Sequence, residues 1–273
     1  MLTAGIDLST EPAKTALAVI EWSATGAALT SLALRNSDAA LVDAAGRVTV
    51  VGIDCPFGWP DDFVDFLAAH RSGTVAVPTG ESGTEWRRRL AYRETDRFVQ
   101  AATGLRPLSV AADRIGLTAM RVAGLLAQLD HLDRAVDRAG GGVVVEVYPA
   151  ASLTRWGLSH QRYKGADHRS ERRQLICDLV MSAPWLDLGE HEPLCADSDD
   201  ALDAVVAALT ARAVALGQSS RPDAAVRDRA AREGWIALPT GPLADLAPAG
   251  HQSEPPGGGN EGSSVPREGV PHE

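Results

Sequence analysis

The chain opens on short apolar runs separated by turn signals. Leu2–Asp7 and Lys14–Trp22 read as strands, Ala27–Leu34 as a weaker one, and Val48–Asp54 (VTVVGID) as a strongly β-branched one. Glu11-Pro12, Thr25-Gly26 and Gly46 punctuate them. The close spacing of the first three predicts a hairpin meander, which the fourth strand joins afterwards.

A helical period takes over after Pro60. Phe63, Phe66, Leu67 and His70 recur at i, i+3, i+4 and i+7, and Thr84 is placed to cap a helix over Glu85–Ala102. A long helix from about Leu117 to Ala139 carries Met120, Leu125, Leu129, Leu132 and Val136 on one stripe, and the glycines 140–142 end it. Val143–Val147 (VVVEV) predicts a buried strand interrupted by one glutamate. Arg169–Met181 and Asp199–Leu216 predict two further helices, the second with Leu202, Val205, Val206, Leu209, Ala213 and Leu216 on one face, and Trp235–Leu238 a closing strand. Hairpin strands followed by strands alternating with helices predict an α/β fold, a mixed sheet flanked by helices. One domain is expected over 1–247, with a helical insertion at about 61–139. From Pro248 on, six glycines and five prolines with almost no large apolar side chain predict a disordered tail over 248–273.

Composition narrows the function classes. No run of 18 apolar residues occurs, so no membrane-spanning helix is expected. The first residues lack a basic start and a cleavable apolar core, which argues against a secretory signal. Three cysteines with no CxxC pair fit a reduced, cytoplasmic setting. The 26 basic and 36 acidic residues give a net charge of −10, which argues against a static nucleic-acid coat. An enzyme that meets phosphates through a local basic strip and bound metal remains compatible with that charge.

The candidate chemistry is carboxylate chemistry. Two strands end in the same signature, Gly5-Ile6-Asp7 and Gly52-Ile53-Asp54, placing acids at a sheet edge where strand termini form clefts. An acid at a strand end also serves as a turn former or helix cap, so neither is decisive alone. Glu146 lies inside a buried strand, so it must meet a cation or point into a cleft. Asp199, Asp200 and Asp203 open a helix; Asp199 reads as a dipole-complementing residue, whereas Asp203 lies past the cap beside the apolar stripe. Close carboxylates repel unless divalent metal neutralises them, and oxygen donors suit Mg²⁺ or Mn²⁺.

Among the basic residues, Arg87, Arg88, Arg89, Arg93 and Arg97 fall within 11 positions, and Arg89, Arg93 and Arg97 are spaced as one helical ridge. Such a ridge can follow phosphates or be a solvated face paired with Glu94 and Asp96. Lys164, one of two lysines, precedes Arg169, Arg172 and Arg173 and is a phosphate-contact candidate. Cys55 beside Asp54 reads as a core thiol rather than a nucleophile, and His191 with Cys195 lacks the partners of a zinc site.

The hairpin start with GID, the fourth strand ending in Asp and the late acidic helix resemble the ribonuclease H-like fold. The helix DALDAVVAALTA is similar to the final helix of Holliday-junction resolvases, with Asp200 and Asp203 matching their D-x-x-D pair. The folded chain as a whole resembles the family called domain of unknown function 429, often described as predicted nucleases. The matching segments are GIDCPFGWP (52–60), YRETD (92–96), EVYPAASL (146–153), YKG (163–165) with Arg169 and Arg172, DDALDA (199–204) and EGWIALP (233–239). The resemblance implies phosphodiester hydrolysis by a two-metal mechanism. Asp7 would bridge two Mg²⁺ or Mn²⁺ ions, Asp54 and Asp203 would hold one each, and Asp200 or Glu146 would complete a shell. Arg93, Lys164, Arg169 and Arg172 would contact a nucleic acid or nucleotide-type phosphate substrate. EVYP and YKG have no counterpart in ribonucleases H or resolvases. An actin-like or sugar-kinase-type nucleotide binder shares the opening meander, and a non-catalytic binding member of the fold is a third reading.

Overall fold

The computed structural model describes residues 1–76, 78–80, 82–110 and 115–251. Six strands form one sheet: β1 (Leu2–Asp7), β2 (Ala16–Trp22), β3 (Ala27–Leu34), β4 (Val50–Asp54), β5 (Val144–Glu146) and the two-residue β6 (Leu186–Asp187), in the order β5-β4-β1-β2-β3-β6. β1, β2 and β3 are the antiparallel meander, β4 and β5 add in parallel beside β1, and β6 pairs in parallel with β3. The mixed sheet expected from the sequence is therefore present. Trp235–Leu238 makes only a bridge from Ile236 to Glu146 rather than a strand, and β6 is too short to carry a pattern.

The helices are α1 (Asp38–Arg47), α2 (Asp61–Ser72), α3 (Gly83–Ala91), α4 (Glu94–Thr103), α5 (Gly116–His131), α6 (Pro149–Arg155), α7 (Arg169–Ser182), α8 (Glu192–Asp197), α9 (Asp199–Ala215) and α10 (Arg227–Glu233). Four of them, α2 to α5, lie between β4 and β5 in the chain. No described helix is long and apolar enough to cross a membrane. The expected tail falls outside the described residues from 252 onward.

Each face of the sheet has its own cover, and the pleat decides which residues it meets. Ala4, Ile6, Val51 and Ile53 point to the face covered by α1 and α5, where they pack with Leu41, Val122, Leu125 and Leu129. Gly5, Gly52, Val50 and Val145 point to the other face, where α9 lies. α9 is sandwiched between the sheet and α6 and α8, with α7 packed on α8, and every residue from Ala201 to Ala211 is buried. That suits a helix of small and apolar residues all round rather than a one-sided stripe. Leu216, expected on its face, is 40% exposed.

Three expectations about helices need correction. The stripe on α5 is displaced: Ala119, Val122, Leu125, Leu126 and Leu129 are buried, while Met120 and Leu132 are exposed. The helix also ends at His131 rather than Ala139, with Asp133 in a left-handed conformation (φ 57°) just beyond. The expected helix over Glu85–Ala102 is two. Tyr92 and Arg93 are extended, and the Asp96 carboxylate accepts from the Arg93 backbone N–H at 2.9 Å, starting α4 afresh.

Candidate active site

Asp7 and Asp54 are opposite each other in the register of the parallel pair β1–β4, at the C-terminal ends of both strands. Residues in register on adjacent strands share a face, so the two carboxylates stand side by side. Two residues earlier on that face stand Gly5 and Gly52. A Cβ on Gly5 would sit 2.0 Å from the Ala204 carbonyl oxygen and 2.3 Å from the Ala208 nitrogen; one on Gly52 would sit 2.7 Å from the Ala207 oxygen. These are backbone atoms of α9, so the missing side chains are what let the helix lie against the strands. Asp203, next to Ala204, is thereby carried to the strand ends. The repeated G-x-D signature has a division of labour: glycine admits the helix and aspartate meets its acid.

Asp203 is completely buried. The Tyr163 hydroxyl donates to its Oδ1 at 2.7 Å, and Lys164 Nζ lies 2.5 Å from its Oδ2. The pKa pattern follows from crowding like charges with little water. Burial, then Asp203 and Asp54, push Asp7 well above the carboxylate range. Burial is the main cause for Asp54 too; Lys164 opposes it, Asp203 and Glu146 add to it, and the result is a pKa of about 7. Asp203 is raised by burial against the pull of Lys164 and the Tyr163 hydrogen bond. Asp200 is half-buried and raised by burial and by Asp199 and Asp203. Burial works against the charge of Lys164, but Asp203 and Asp54 outweigh it and keep the ammonium protonated.

The loop that presents Tyr163 and Lys164 is pinned from behind by Arg172. This buried guanidinium donates to the carbonyls of Tyr163 (2.9 Å), Gly165 (2.7 Å), Ala196 (2.9 Å) and Asp197 (3.3 Å). Gly165 has φ 96°, and its N–H donates to Asp199 at 3.1 Å, tying the loop to the first turn of α9. The structure thus makes Arg172 a support for Lys164, not a substrate contact. Arg169 is exposed, pairs with Asp197, and lines a separate depression with Arg173.

Glu146 and Arg93, expected in a metal shell and on the substrate, are joined to each other. Glu146 pairs in register with Ile53, which puts it on the sheet face opposite Asp54. Arg93 Nη1 and Nη2 donate to its two oxygens at 2.9 and 2.7 Å, and the Phe57 N–H adds a third bond at 2.9 Å. Arg93 also donates to both oxygens of Asp96 (3.2 and 2.9 Å) and to the Glu233 carbonyl (3.0 Å). All five guanidinium donors are used, and none is left for a phosphate. Gly234 (φ 90°) passes over this pair, where a Cβ would lie 2.5 Å from Glu146 Oε2. The Glu233 carboxylate accepts from the N–H groups of Asp61 and Glu94, holding the starts of α2 and α4. Thr95 accepts from the Ile236 N–H at 2.8 Å. YRETD, the glutamate of EVYP and EGWIALP are therefore one interlocked support. The cation that Glu146 required is an arginine.

The arginine ridge is not formed, because the break at Tyr92-Arg93 divides it. Arg93 is buried, Arg89 faces Asp62 at 3.6 Å, and Arg97 pairs with Glu94 at 2.9 Å. Cys55 is buried with its thiol pushed well above its ordinary pKa by burial and by Glu146 and Asp54, which suits a core thiol. Cys195 is likewise buried, with a pKa pushed up to about 12 by burial.

A cavity of about 470 Å³ opens at the ends of β1, β4 and β5. Asp7, Asp54, Lys164 and Tyr163 line it. Leu105, Pro107, Leu108 and Ile115 add apolar lining, and Tyr148 and His160 join Tyr163 as aromatic members. Tyr148, His160 and the apolar wall went unnoticed in the sequence. Tyr148 and Tyr163 stood in the motifs EVYP and YKG, but the leucines carry no chemical signal.

Among the described residues, no three carboxylate, imidazole or thiol groups converge as a set of metal ligands. A Mg²⁺-type site does not need three, since one or two carboxylates completed by waters and substrate oxygens suffice. The Asp7–Asp54 pair could supply such a donor set. Asp203, expected as a further ligand, has Oδ1 taken by the Tyr163 hydroxyl, while its buried Oδ2 is ion-paired with Lys164 and has no hydrogen-bond partner among the described residues.

The fold and site together define an α/β protein with an acid-ended pocket at the C-terminal edge of parallel strands. A family model described as "Protein of unknown function (DUF429)" matches residues 5–227, and the chain belongs to that family. No curated protein and no solved structure matches the chain.

Proposed function

We propose that this protein is a Mg²⁺- or Mn²⁺-dependent phosphoester hydrolase of the nuclease class, built on a ribonuclease H-like fold. The meander with two parallel strands added beside β1 and a long helix bringing an acid to their ends supports the fold reading. The observation that carries the functional reading is the crowding of Asp7, Asp54 and Asp203 around one ammonium, all three with raised pKa values. Buried carboxylates are ordinarily neutralised by partners, and three that share one ammonium beside a pocket leave an anionic surplus that marks a candidate place for cations and for the chemistry they allow.

Asp7 and Asp54 would hold the ion from their adjacent strands. When bound, a divalent ion supplies an acidified water and charge for the leaving oxygen. Asp203, fixed by Tyr163, would keep Lys164 protonated and aimed at the pocket. Lys164, with about half of its side chain exposed, can reach a phosphate oxygen placed there. Arg172 and Arg93 would act behind this front, holding the Lys164 loop and the floor.

The test is metal-dependent turnover together with metal-dependent stability. With Mn²⁺ or Mg²⁺, the wild type should cleave a phosphodiester such as bis-p-nitrophenyl phosphate or a single-stranded oligonucleotide, and its Tm should rise. Asp7→Asn should lose both responses while melting no lower than the wild type without metal, because it removes one of three repelling carboxylates. Stabilisation by ATP alone, with no response to divalent ions in the absence of nucleotide, would favour the nucleotide-binder reading instead.

A further inference from the structure

The pocket's lining is chemically mixed, and only its charged members are used by the hydrolase reading. Leu105, Pro107, Leu108 and Ile115 also line it, with Tyr148 and His160. Resting on that reading, we propose that the pocket binds one nucleotide unit of the phosphodiester substrate. Its phosphate would lie toward Asp7, Asp54 and Lys164, and its base against Leu105, Leu108, Ile115 and Tyr148.

Three observations lead there. The volume, about 470 Å³, falls within the range of small-molecule sites, about 300–1,000 Å³, that enclose most of a ligand's surface. The lining pairs an apolar wall with a few polar groups, the Tyr148 hydroxyl and His160 among them, which suits a flat ring with polar edges. His160 has its Nδ1 engaged with Thr154 at 3.0 Å. Finally, the described residues that line the pocket offer few cations to a phosphate chain. Of the arginine and lysine side chains lining the pocket, Arg93 is consumed by Glu146 and Asp96, which leaves Lys164. A duplex followed over several phosphates needs a cation for each, and the chain's net charge of −10 opposes such contacts. One phosphate and one ring can be satisfied here; a base-paired helix cannot.

Titration calorimetry on the full chain with Mg²⁺ present tests this, using adenosine 5′-monophosphate, ribose 5-phosphate and a blunt DNA duplex as probes. The mononucleotide is expected to bind at least tenfold more tightly than ribose 5-phosphate, a difference of 1.4 kcal/mol. Leu108→Asp should erase that preference while leaving ribose 5-phosphate binding in place. Leu108 is 49% exposed, so the change does not threaten the fold. Equal binding of the two small probes, an unaltered preference in Leu108→Asp, or tighter binding of the duplex than of the mononucleotide would each overturn the proposal. Turnover separates it from the reading on which it rests. Base-dependent binding without hydrolysis supports the nucleotide site and removes the hydrolase; metal-dependent hydrolysis with no preference for a base does the reverse.

Discussion

Replacing Arg93 by methionine tests whether the YRETD, EVYP and EGW segments form a support rather than a substrate contact. Methionine is similar in length and apolar, so the change removes charge and donors more than volume. It leaves Glu146 and Asp96, each no more than 2% exposed, without their cation, and the Glu233 carbonyl without its donor. Breaking a buried ion pair from one side costs about 3–5 kcal/mol. At about 2–4 °C per kcal/mol for a domain of this size, Tm should fall by roughly 6–20 °C at pH 7.5. The loss should shrink at acid pH. In the wild type, burial already raises Glu146 above its ordinary value and Arg93 holds it back; without Arg93 the folded-state pKa rises further. A carboxyl whose folded pKa exceeds its unfolded one favours the fold below the unfolded pKa and loses that contribution as pH rises through the folded pKa. Scanning fluorimetry at pH 5 and 7.5 reads both effects, and Arg93→Met/Glu146→Leu should recover part of the loss. A variant that melts within 2 °C of the wild type at pH 7.5 yet binds phosphate poorly would refute the support role and return Arg93 to the substrate.

Two further outcomes are expected. Gly5→Ala should cost on the order of 1–3 kcal/mol or more and abolish the Tm response to Mn²⁺, since its Cβ would meet α9 backbone at 2.0 Å; Gly46→Ala in α1, where nothing lies within 4 Å, should gain about 1 kcal/mol. Without metal, Tm should decline as pH rises from 5 to 8, because Asp54, with a folded pKa of about 7 against 3.8, binds its proton in the folded state and loses that contribution as pH passes 7; Mn²⁺ at pH 8 should restore most of it, and a flat profile would contradict the raised pKa values.

What was legible in the chain was what depends on near neighbours. β-branched runs and Gly or Pro punctuation marked β1 to β4, and the repeated GID announced two acids at strand ends. The buried glutamate of VVVEV announced a need for a cation. Position along α9 set Asp203 apart from the capping acids, and the packing of that helix on Gly5 and Gly52 carries it toward the strand ends that hold Asp7 and Asp54. Tertiary structure alone decided which partner met which charge. That Arg93 answers Glu146 depends on α4 being brought beside β5, 53 positions away in the chain. Arg172 became a loop anchor because four carbonyls, two from the 163–165 loop and two from the end of α8, converge on it, and backbone carbonyls leave no mark in a sequence. The pocket's apolar wall was hidden for a related reason. A leucine facing a cavity and a leucine facing a core are the same letter, and only the tertiary packing of segments distant in the chain around the strand ends makes the space between them.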